Sequence, residues 1–212
     1  MNQKPTDAQT EQQNESEHAK DPASANRHQA TKITMGLLGA MVLLSLLLRF
    51  SFSWETLKYA VLGALLLLIS VIDYHTYLIP DELLALGLVL YVPIQLMQGT
   101  SFGALIMQML LHGCSVALPL LLFVLVADKI IGKETMGGGD IKLFFLAGVY
   151  LGPALTWLAL FVSCVAGLIW SVVQMGASAG KLFPFGPSIA IGVWVSVLCG
   201  PQLLQWYWQW LF

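Results

Sequence analysis

Charge is what this sequence has least of: only 10% of its 212 residues are Asp, Glu, Lys or Arg, against roughly a quarter in soluble globular chains. Hydrophobic residues make up 57%. A chain so short of polar side chains cannot cover itself in water, which excludes an ordinary soluble domain. No basic stripe interleaved with aromatics occurs, so nucleic acid is excluded as a partner. Cysteine is scarce too. Cys114, Cys164 and Cys199 lie far apart in apolar runs, with no CxxC and no Cys/His cluster of zinc spacing. No metal site is therefore expected, and the thiols read as buried.

The charge that is present is unevenly placed. The first 32 residues carry nine of the 22 charged side chains and almost no aliphatic ones, the composition of a disordered tail. They lack the apolar core of a signal peptide, and His18 and His28 read as solvated. Residues 33–212 form the second part, a membrane domain. A spanning helix needs about 20 mostly apolar residues, and that ruler predicts an all-α polytopic bundle of about seven spans, within a range of six to eight. The candidates are 33–52, 55–74, 81–98, 103–128, 140–152, 154–176 and 186–210. The fifth is short, either a half-length helix or one merged with the sixth across Gly152-Pro153. Turn residues mark the breaks at Pro80, Gly99-Thr100, Gly137 to Gly139, Gly152-Pro153 and Pro184 to Pro187.

Alternating the spans collects Lys4, Lys20, Arg27, Lys32, Lys129, Lys133, Lys142 and Lys181 on one side and only Arg49 and Lys58 on the other. That bias places the tail and the 74–80, 128–140 and 177–185 segments in the cytoplasm, with the C-terminus outside. The WYWQW cluster at 206–210 then reads as an aromatic belt at the outer interface.

Ionisable residues at the edge of a span cost several kcal/mol unless something uses them. Asp73 ends the second span, and Asp140 opens the fifth directly after three glycines. Two helices separate them, so the chain returns to the same face and both carboxyls can meet at one depth. Two carboxyls in a low-dielectric site share a proton, one serving as base for an attacking water and the other as acid to a peptide carbonyl. Gly137, Gly138 and Gly139 tolerate positive φ and let a substrate backbone approach closely. The plainer reading of Asp140 alone is a loop residue that caps a helix. Pro80 with Asp81 and Glu82 reads as a helix start, acids suiting its positive end. Lys142 lies on a different helix face from Asp140 and reads as an anchor to lipid phosphate or to a loop carboxylate. His75 reads as incidental, and His112, mid-span, as an interhelical hydrogen bond.

These stretches resemble the type IV prepilin peptidases, a family of GxGD membrane aspartyl peptidases. The matching residues are Ile72-Asp73 with Leu78-Ile79-Pro80-Asp81-Glu82-Leu83, then Met136-Gly137-Gly138-Gly139-Asp140-Ile141-Lys142-Leu143, and last Pro184-Phe185-Gly186-Pro187. The resemblance implies a catalytic dyad of Asp73 and Asp140. The glycines, Pro80, Asp81, Lys142, Pro184, Gly186 and Pro187 would then support the site or bind substrate. It also implies a substrate, a prepilin or pseudopilin precursor, whose short basic leader ending in Gly is joined to an apolar helix. The setting would be the bacterial cytoplasmic membrane, with lipids around the bundle and the N-terminus and site facing the cytoplasm. Longer members carry an extra cytoplasmic domain with paired CxxC motifs. The present chain has only the tail there, so a peptidase-only short form is expected, without N-methyltransferase activity and without a cofactor. Two other readings stay open. A presenilin-type peptidase would use a PAL motif, and Pro153-Ala154-Leu155 occurs, although at the far end of the short span. An ion- or proton-coupled transporter could use paired acids at a broken helix.

Overall fold

A computed structural model describes residues 44–46, 53–133, 135–175 and 185–211, all within one compact unit, Met41–Phe212. The tail, the first candidate span apart from 44–46, and Pro184 lie outside the described residues. Beyond the helical 44–46, six helices follow: α1 (Trp54–Thr76), α2 (Asp81–Met97), α3 (Phe102–Ile131), α4 (Gly138–Leu151), α5 (Pro153–Met175) and α6 (Gly186–Leu211). No strand occurs among the described residues, so the protein is an all-α membrane bundle, as the apolar runs require. α1, α3, α5 and α6 are long and apolar enough to cross a bilayer, which makes the chain a multi-pass membrane protein. α2, at 17 residues, stands at the lower limit for a span. α4, at 14 residues, rises only about 21 Å against a hydrocarbon core of about 30 Å. The fifth candidate is thus a half-length helix rather than a span.

Local chemistry sets the helix ends. Ser53 caps α1 by accepting from the Thr56 amide at 3.3 Å, and Tyr77 stops that helix in the left-handed region, φ 56°, its N–H donating to the Asp73 carbonyl. Pro80 cannot extend a helix backwards and opens α2, with Asp81 and Glu82 in its first turn where the helix dipole favours acids. α3 ends at Gly132, φ 73°. Just beyond it, the Asp128 carboxylate accepts from the Thr135 amide at 2.7 Å and from its hydroxyl at 2.6 Å. That clamp folds the α3–α4 connection back on itself.

α4 is the axis of the bundle. From Leu143 to Leu151 every residue except Phe145 is buried, as expected of a helix that is apolar all round. α3 crosses it closely because small residues meet there: a Cβ on Gly148 would lie 2.6 Å from the His112 carbonyl oxygen, and one on Gly113 2.5 Å from the Phe145 ring. The Tyr150 hydroxyl, buried, donates to the Gly87 carbonyl at 2.7 Å and ties α4 to α2.

Two expectations fail here. Cys164 and Cys199 are exposed on the bundle surface and Cys114 is half-buried, because spanning helices turn apolar faces outward to lipid and an apolar run does not imply burial in protein. The His112 ring has no hydrogen bond among the described residues. The ring lies beside Gly152, and α3 meets α4 through the close approach of the His112 backbone to Gly148 rather than through a polar bridge.

Candidate active site

Asp73 lies in the last turn of α1, 5% exposed. Its position follows from where the helix stops, since the Tyr77 cap fixes the backbone of the Asp73 turn with a 2.8 Å hydrogen bond. The first residue of α6 reaches the side chain, the Gly186 amide donating to Asp73 Oδ2 at 2.8 Å. A Cβ on Gly186 would stand 2.7 Å from that oxygen, so only glycine lets this backbone come so near. Phe185 seats the same turn against α5, its ring filling the space beside Gly167.

Asp140 is the third residue of α4 and half-buried. The N-cap of the helix is Gly137, whose carbonyl accepts from the Asp140 amide at 3.1 Å. Asp140 is therefore a first-turn residue and not the N-cap, a position that Gly137 holds. None of the three glycines has positive φ. Their tolerance of a left-handed turn is not used, and what they contribute is space. Nothing lies within 4 Å of a Cβ placed on Gly138, whereas one on Gly139 would meet Ile79 Cβ at 3.0 Å.

Asp73 and Asp140 line one cavity of about 660 Å³, together with Pro80, Asp81 and the three glycines. The Tyr77–Pro80 connection forms a wall between α1 and α2, and Ile79 presses it onto Gly139. Lys142 pairs with a carboxylate other than Asp73 and Asp140. Its Nζ donates to both Asp81 oxygens, at 2.8 and 2.7 Å, an exposed ion pair joining the start of α2 to the start of α4. Of the two partners foreseen for Lys142, the carboxylate is the one found. Glu82 also lines the cavity. Pro187 is the second residue of α6 and not among the lining residues. Pro153 starts α5 beyond the far end of α4, so the PAL sequence sits away from the aspartates.

Asp140 belongs to α4, outside the four spanning helices. Burial first, and then the charge of Asp73, push its carboxyl up from the ordinary range to about 7, with a backbone hydrogen bond from Gly137 opposing the rise. Among the described residues no group of three His, Cys, Asp or Glu is placed to hold a metal ion. Sequence reasoning missed Tyr77, and it gave Ile79 only as part of the 78–83 stretch, without a role. A left-handed tyrosine carries no sequence signal, and the contact of Ile79 with Gly139 appears only once the two motifs fold together.

Comparison with known proteins gives a consistent set of relatives. The sequence profile of the type IV leader peptidase family matches residues 60–172, just over half of the chain, with Asp73 and Asp140 inside the match. A prepilin leader peptidase/N-methyltransferase of Stutzerimonas stutzeri is 32% identical over 87% of this chain and 63% of its own length. Proteins of the same name from Pseudomonas aeruginosa and Neisseria gonorrhoeae are each 32% identical, over 76% and 69% of this chain and 55% and 50% of theirs. The chain thus spans between half and two thirds of the length of these relatives. No solved structure matches it.

Proposed function

Because the chain belongs to the type IV leader peptidase family, we propose that it is a membrane aspartyl endopeptidase that removes the short basic leader from type IV prepilin or pseudopilin precursors. The observation that carries the reading is the meeting of Asp73 and Asp140, two helices apart, in one cavity at the ends of α1 and α4. Two facing carboxyls in a partly dry site hold one proton between them near neutral pH. The ionised member takes a proton from water as its oxygen attacks the scissile carbonyl, and the protonated member donates to the carbonyl oxygen. Collapse of the tetrahedral intermediate then passes a proton to the departing amine. The open Gly138 face gives the peptide backbone room beside Asp140. Pro80, the Asp81–Lys142 pair and the Gly186 turn hold the frame around the dyad, and Pro187 continues that turn into α6.

In this reading the site faces the cytoplasm of a bacterium across its inner membrane, and residues 1–32 form a cytoplasmic tail outside the peptidase domain 33–212. A transporter would need its paired acids near the bilayer midplane, whereas these lie at helix ends. The test is incubation of the purified protein with a pilin precursor and identification of the new N-terminus by mass spectrometry. Asp73→Asn and Asp140→Asn should each abolish the cut while protein levels in the membrane stay normal, since an amide cannot carry the shared proton. Removal of residues 1–28 should leave it intact. Substantial activity in either Asn variant removes that residue from the dyad.

A further inference from the structure

A second cavity, of about 450 Å³, lies between α2, α3 and α4. Its walls are apolar, with Ala85 and Leu88 from α2, Leu118 and Leu121 from α3, and Phe145 from α4. It has two polar members, Asp81 and Lys142, and both also line the catalytic cavity. Their ion pair is therefore the common wall of the two spaces, with the dyad on one side and an apolar trough on the other. Ala85 and Leu118 point outward, Leu118 56% exposed, so the trough is open to whatever lies beside the bundle.

We propose that this trough seats one face of the apolar helix of the precursor, so that the chain crosses the Asp81–Lys142 pair to bring its cut bond to Asp73 and Asp140. The inference rests on the peptidase reading. A trough of this size takes a few side chains from a single helix face, the way amphipathic helices dock through anchors one turn apart. Its shared wall with the catalytic cavity favours a peptide over an acyl chain, because only a peptide has a use for both spaces at once. The ion pair provides the polar step where an apolar helix gives way to an extended backbone.

Two substrates separate this docking from the chemistry: a full-length precursor, and a short peptide that covers the cut site but ends before the apolar helix. Ala85→Phe fills the trough from a residue that touches neither aspartate. It should raise KM for the precursor about tenfold, with kcat at saturation unchanged and kcat/KM for the peptide as in the parent. A photoreactive benzoylphenylalanine at Leu118 should crosslink to the precursor, and excess unlabelled precursor, but not the peptide, should compete the adduct away. An unaltered precursor KM, an equal loss on both substrates, or adducts with lipid alone each overturn the proposal while leaving the peptidase reading in place. Failure of the parent protein to cut either substrate removes the peptidase reading and the docking with it.

Discussion

Gly186→Ala tests how tightly the start of α6 holds Asp73. The added Cβ would lie 2.7 Å from Asp73 Oδ2 and 3.1 Å from both Cγ and Cβ, where ordinary contact begins at 3.4 Å. Rotating the carboxylate relieves the first contact but not the last, since Asp73 Cβ is fixed to the α1 backbone. The two elements must therefore part by about 0.3 to 0.7 Å, which stretches the 2.8 Å amide hydrogen bond toward its limit of about 3.5 Å. A hydrogen bond to a charged group contributes about 1.5 to 3 kcal/mol, and misplacing a catalytic group by about 1 Å costs about 100-fold. Both routes give a fall in kcat of about 10- to 100-fold. The assay is single-turnover cleavage of a precursor by purified protein, with immunoblotting to establish equal membrane levels. Gly103→Ala is the control, since nothing lies within 4 Å of a Cβ there, and it should cut at the parent rate. Parent-like kcat in Gly186→Ala would refute the claim that this amide positions Asp73.

Asp81→Asn weakens an exposed ion pair with Lys142, which contributes at most about 1 kcal/mol, so cleavage should fall less than about fivefold. Complete loss in a folded variant would move Asp81 into the mechanism. Folding raises the proton affinity of Asp140, so its ionisation costs the folded state nothing below about pH 4 and the full amount above about pH 7. Asp140→Asn should therefore melt above the parent at about pH 8, by about 2 to 8 °C for about 1 to 2 kcal/mol after allowing for water in the open cavity. The two should melt alike at about pH 4, and equal melting at both pH values contradicts the assigned burial. For orientation, Cys114, Cys164 and Cys199 are first changed to Ala. A Cys at Thr135 should then resist an impermeant thiol reagent added outside intact cells, while a Cys at Thr100 reacts. The inverse pattern places the dyad on the wrong face for a cytoplasmic leader.

Much of this was readable from the chain because membrane helices obey a length and hydropathy ruler that needs no partner. α1, α3, α5 and α6 fall close to the runs that the ruler picks out, and two acids at run ends separated by two helices marked the cavity. What the ruler could not say depends on contacts. It left open whether α4 is a half-length helix or runs on into α5, because composition does not reveal that Gly152, φ 80°, ends the helix. It placed the cysteines inside because an apolar residue facing lipid and one facing protein look the same in sequence. Gly186 could be marked as a site residue by motif, but its hydrogen bond to Asp73 joins residues 113 positions apart and required the folded chain.

The halfway end of α4 also bears on how the protein is made. A helix of 14 residues is too short to settle across a bilayer by itself, since about 20 are needed. The chain turns directly from α4 into α5 at Gly152, where the Thr156 hydroxyl donates to the Gly152 carbonyl at 2.6 Å. Asp73 can receive its Gly186 hydrogen bond only after α5 has been synthesised. Chains arrested before Gly186 should therefore lack the amide that positions Asp73 and leave a precursor uncut.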